Sequence, residues 1–108
     1  MPIINRIAEF QTDMTAWRRD IHAHPETAFE EQRTSDIVAH TLQEMGIEVH
    51  RGLAGTGVVG TVHGNRQDQG RAIGLRADMD ALNLQEKNTF DHRSVHAGKM
   101  HACGHDGH

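Results

Sequence analysis

The 108-residue chain holds a single cysteine, Cys103, so no disulfide can close within it and nothing argues for an oxidising compartment. Aromatic residues are scarce at 4%, tyrosine is absent, and the apolar fraction is 36%. A domain of this size and composition is expected to build only a thin core, with exposed strand edges. No apolar run is long enough to span a bilayer, and no charged-then-apolar leader opens the sequence, which makes the cytoplasm the expected compartment. There is no excess of basic residues: the net charge is −4 with histidine neutral, which argues against nucleic acid or an anionic membrane as partner. The ten histidines would move that charge towards or above zero near pH 6.

What the chain does have is a cluster of metal-ligand side chains in Met100-His101-Ala102-Cys103-Gly104-His105-Asp106-Gly107-His108. Each such group needs a partner when buried, so the cluster is a poor core segment and a good source of transition-metal ligands. Cys103 and His105 stand at i, i+2 with Gly104 between them, a spacing that lets both converge in a turn. Two ligands do not complete a site, since catalytic zinc usually takes three protein ligands and structural zinc four. His101, Asp106, His108, Asp78 and Asp80 are the candidates for the remainder. The plainer reading is a polar tail that happens to carry histidines, because short Cys/His-rich tracts can bind metal without function.

The elements expected are two helices followed by strands. Ile3, Ile7, Phe10, Met14, Trp17 and Ile21 follow 3–4 spacing, predicting an amphipathic helix over residues 3–23, with Pro2 in its first turn and His24-Pro25 as its stop. A second helix is expected over residues 30–45, capped by Gly46. Strands are expected at 47–50, 58–62 and 72–77, with a turn at 55–57 and a polar hairpin loop at 64–70. Residues 84–99 read as a long irregular loop, a feature usually tied to a site. Layering of these elements indicates an α/β or α+β domain.

Asp78 and Asp80 follow the third expected strand at i, i+2, on one side and at its C-terminal end, where open α/β sheets place their sites. There they can orient a metal-bound histidine and raise its basicity. An ordinary solvated turn, with Arg76 as charge partner, is the alternative. His22 and His24 flank the end of the first helix, where a cation suits the dipole. His40, His50 and His63 read as surface residues, and His92 and His96 as solvated loop residues. No phosphate-binding turn and no serine or cysteine nucleophile signature is present.

Four blocks, in order, carry a resemblance: Trp17 to Glu26 (WRRDIHAHPE), Gly55 to Gly60 (GTGVVG), Leu75 to Leu82 (LRADMDAL) and Gly98 to His108 (GKMHACGHDGH). Together they resemble the N-terminal part of the M20 metallopeptidase family. The closest branch is the amidohydrolases that include hippurate hydrolase, N-acyl-amino-acid amidohydrolases and indole-acetyl-amino-acid hydrolases. The resemblance implies an α/β zinc-peptidase-like catalytic domain, of which residues 1–108 would be a partial N-terminal segment, ending before the rest of the sheet and the lid domain. It implies two divalent metal ions (Zn, Mn, Ni or Co), with Cys103 and His105 as metal ligands and Asp80 as support. The remaining ligands and the general-base Glu fall later in the family's pattern than this sequence reaches, so no catalytic base is assigned here. The activity implied is hydrolysis of the amide bond of small N-acyl or N-aroyl amino acids by a homodimer or higher oligomer, with the 108 residues alone inactive. Leu82-Asn83-Leu84 departs from the pattern, which often has Pro after the first Leu. A small non-catalytic metal-binding module is the alternative, and a fragment whose exposed strand edge pairs with another chain is a weaker one.

Overall fold

The computed structural model describes residues 3–66 and 70–108. Pro2 and part of the expected 64–70 loop therefore lie outside the described residues. The elements in order are α1 (Asn5–Ala8), α2 (Gln11–Ala23), α3 (Gln32–Glu44), β1 (Glu48–Leu53), β2 (Gly57–Thr61) and a single 3₁₀ turn (Gly104–Gly107).

The first expected helix is split. At Phe10 the backbone switches to an i→i−3 bond, Phe10 N–H to Ile7 O at 3.0 Å, before α2 begins. The apolar spacing runs unbroken through this point, so the pattern gives no sign of the break. α1 buries no residue, and a one-turn helix without packing has little to keep it in register with the next. α2 stops at Ala23, next to the fully buried Pro25, as the His24-Pro25 pair dictates.

α3 is fixed at both ends. Its first turn donates to a carboxylate from outside the helix: Arg33 N–H and Thr34 N–H reach Glu26 at 2.9 and 2.7 Å, and the Thr34 hydroxyl adds a third bond at 2.7 Å. Glu26 thus satisfies donors that the helix cannot satisfy itself. At the other end Gly46 takes φ +77° and donates to Gln43 O, while Ile47 N–H donates to Leu42 O, a Schellman closure.

β1 and β2 form an antiparallel hairpin, with Glu48 opposite Thr61 and Arg51 opposite Val58, and an irregularity between Arg51 and Leu53. The hairpin lies against α3. A Cβ on Gly60 would stand 3.2 Å from both Leu42 Cδ1 and Ile47 Cγ2, so glycine lets this strand approach the helix. The turn is tied to the α3 start by the Thr56 hydroxyl, which donates to buried Glu31 at 2.6 Å.

The third expected strand does not form: residues 70–80 carry no strand, and Ile73 and Leu75 are 91% and 95% exposed. A strand exists only by pairing, and the sheet among the described residues has two strands, β1 and β2. Instead, residues 81–82 make short bridges, Thr27 with Ala81 and Leu82 with Met100. These draw the Asp78–Asp80 segment towards the last residues of the chain. The core is as thin as composition indicates: Ala39 and Ala81 are its buried apolar residues among those described.

Candidate metal centre

Residues 101–108 fold into the site from an extended approach. Cys103 adopts an extended conformation ahead of the 3₁₀ turn, which then carries His105 and Asp106. Leu82 and Met100 exchange backbone hydrogen bonds of 2.9 and 3.0 Å, which brings residues 78–80 up against this turn.

His105 lies between the two carboxylates singled out from sequence. Its Nδ1 is 2.9 Å from Asp80 Oδ1, and its Nε2 is 3.0 Å from Asp78 Oδ2. His108 donates from Nδ1 to Asp78 Oδ1 at 2.6 Å. Arg76 also reaches Asp78, at 3.2 Å, so this carboxylate meets both histidines of the turn and the charge partner expected of it. The His108 hydrogen bond holds the Asp78 carboxyl below its usual range, against some opposition from burial, and the charges of His105 and His108 add to that effect. Cys103 is exposed and stands outside this hydrogen-bonded group.

His101, another candidate ligand, is 4% exposed, and neither ring nitrogen has a partner. Burial lowers its pKa, which favours the neutral ring, the form in which imidazole binds metal. Among the described residues no group of three or more His, Cys, Asp or Glu side chains is placed to hold one ion. The donors fit a divalent metal as part of a site. They comprise a thiol and an imidazole with a carboxylate beside each ring nitrogen, Asp80 at Nδ1 and Asp78 at Nε2; a carboxylate so placed orients ligand histidines.

The sequence gives no sign of the role of His22. It is not a solvated helix-end cation but a buried residue, 5% exposed. Its Nδ1 meets Asp106 Oδ1 at 2.7 Å and its Nε2 meets Glu86 Oε1 at 3.1 Å. Burial opposes the charge on this ring, yet the hydrogen bonds to Asp106 and then Glu86 outweigh it and raise the pKa above 6.5. Arg18, one turn earlier on α2, donates to the other oxygen of Asp106 at 3.1 Å. His24 behaves as expected, donating to the helix-end carbonyl of Asp20 at 2.8 Å.

Glu86 organises the long loop. Besides His22 it accepts from Ser94 N–H at 2.7 Å and from Asn88 Nδ2 at 2.9 Å. Burial works against its charge, but these bonds, led by Ser94, bring its pKa below the usual value. His92 is half-buried rather than solvated, stacked on Phe90 with ring centroids 3.9 Å apart. His96 is exposed, as are His40, His50 and His63. The last two both pair with Glu48.

A thiol and an imidazole on a turn, braced by carboxylates, are the donor types of metal-dependent hydrolases. Comparison with known proteins gives the family. Residues 74–108 match Peptidase family M20/M25/M40. The N-acyl-L-amino acid amidohydrolase of Geobacillus stearothermophilus is 50% identical over 103 residues, 94% of this chain and 27% of that protein. The hippurate hydrolase of Campylobacter jejuni is 44% identical over 108 residues, 100% of this chain and 28% of its own length. A Bacillus subtilis crystal structure, described as a dinuclear metal binding peptidase from the M20 family, superposes with a TM-score of 0.82 at 40% identity. That match covers 92% of this chain and 27% of the other. The chain belongs to the M20 peptidase family and matches the N-terminal part of its catalytic domain. It spans about a quarter of the length of the curated relatives it matches.

Proposed function

We propose that the protein is a metal-dependent amidohydrolase that cleaves the amide bond of small N-acyl or N-aroyl amino acids, with hippurate-like compounds as the model substrates. The observation that supports this most is the placement of His105 against Asp78 and Asp80, beside exposed Cys103, in a chain half identical to an N-acyl-amino-acid amidohydrolase. Cys103 and His105 would hold metal, and two divalent ions (Zn, Mn, Ni or Co) complete the proposed site. Bound metal supplies an acidified water and polarises the scissile carbonyl.

The residues of this chain prepare that chemistry. Asp80 would orient the His105 ring through Nδ1, which lies 2.9 Å from its carboxylate and 3.3 Å from its backbone carbonyl, and metal would take Nε2 in place of Asp78. Asp78 draws His108 and Arg76 towards the same point, concentrating polar groups at one edge of the turn. The base that moves the proton from water is placed, by family resemblance, outside these 108 residues. The proposal includes a homodimer or higher oligomer and the cytoplasm as compartment; no described helix is long and apolar enough to cross a membrane. A self-contained metal-binding module finds no three-ligand group among the described residues to favour it.

The test is hydrolysis of hippurate and N-acetyl amino acids by the product of the complete reading frame, supplied with manganese or zinc. Release of free amino acid, stopped by a chelator, is the expected result. Failure to hydrolyse any N-acyl amino acid in the presence of metal would contradict the proposal. Residues 1–108 alone are expected to show no turnover.

A further inference from the structure

His22 and Arg18 project from one face of α2, four residues apart, and both engage Asp106. Asp106 is 84 residues from His22 in sequence and directly follows His105, so this contact is made only by the fold. Each Asp106 oxygen is used: Oδ1 by the His22 ring at 2.7 Å and Oδ2 by Arg18 at 3.1 Å. The other ring nitrogen of His22 is held by Glu86, which is itself anchored by Ser94 and Asn88. A ring clamped at both nitrogens cannot rotate away. Asp106 is therefore fixed by a helix on one side of the turn, while Asp78 and Asp80 hold His105 on the other.

We propose that His22 and Arg18 are positioning residues, which grip Asp106 and so set the Cys103–His105 turn in the geometry that receives metal. The inference rests on the reading of Cys103 and His105 as ligands. The 3₁₀ turn is four residues long, buries no residue of its own and is bordered by Gly104 and Gly107. So short and glycine-bounded a segment has little intrinsic preference for one conformation, and the grip from α2 supplies it.

Cobalt(II) titration of the protein from its complete reading frame tests this, read by the thiolate-to-cobalt absorption band that reports Cys103 in the coordination sphere. His22→Ala is expected to weaken cobalt binding by about 10–100-fold and to diminish the band, the usual effect of removing a partner that orients ligands. Arg18 is partly exposed, so Arg18→Ala leaves folding intact and is expected to cost about tenfold, with Arg18→Lys restoring most of it. If His22→Ala fails to fold by circular dichroism, the Arg18 pair decides. Wild-type affinity and an undiminished band in folded variants would overturn the positioning role. No thiolate band in the wild type would instead overturn the ligand assignment beneath it.

Discussion

At the scale of single residues, side chains distant in sequence do most of the organising. Glu26 caps a helix that begins six residues later, and its hydrogen bonds to Thr34 and Arg33 depress its pKa below 4.5 despite the opposing effect of burial. Glu26→Ala should lower stability by about 2 kcal/mol, measured by urea unfolding at neutral pH, since bonds to a charged acceptor are lost together. A depressed carboxyl contributes stability that is fully present above its unfolded value and lost as pH falls through its folded value. The wild-type advantage over Glu26→Ala should therefore be intact at pH 6 and shrink below about pH 4.5. His22 has the opposite sign: its raised pKa gives stability that is complete below 6.5 and lost as pH rises through the folded value. Asp80→Asn should reduce metal affinity by about 10–100-fold in a competition titration, because the amide orients His105 Nδ1 less firmly. Asp78, Asp80 and His105, which the structure brings together, could be picked out as candidates because each sits in a short motif with a clear chemical preference. The sequence hid Glu26, Glu86 and His22, whose roles come from partners eight, 64 and 84 residues away.

Elements repeat that division. Helix ends and turns announced themselves through Pro25, Gly46 and the Gly55–Gly57 turn, where local backbone chemistry decides the outcome. Gly46→Val should cost on the order of 1–2 kcal/mol in thermal or urea unfolding, because a β-branched residue resists φ near +77°. Helical spacing could not reveal the break between α1 and α2, since the apolar stripe crosses it unchanged and no buried contact anchors α1. The expected strand at 72–77 is the clearest difference. Its apolar pattern is a statement about pairing, and pairing depends on a neighbouring strand; Ile73 and Leu75 are exposed.

For the molecule as a whole, two points of order dominate: the α3–hairpin unit, and the turn at 104–107 held between α2 and the Asp78–Asp80 segment. The second is where the proposed chemistry sits, and the thin apolar core means that polar networks rather than burial hold it. That makes the turn sensitive to single charge deletions. The central claim is that Cys103 and His105 ligate metal. It is tested most directly by X-ray absorption at the zinc edge of the zinc-loaded protein from the complete reading frame. The account predicts a sulfur scatterer at about 2.3 Å that disappears in Cys103→Ser; a shell of nitrogen and oxygen alone, unchanged by that substitution, would contradict it.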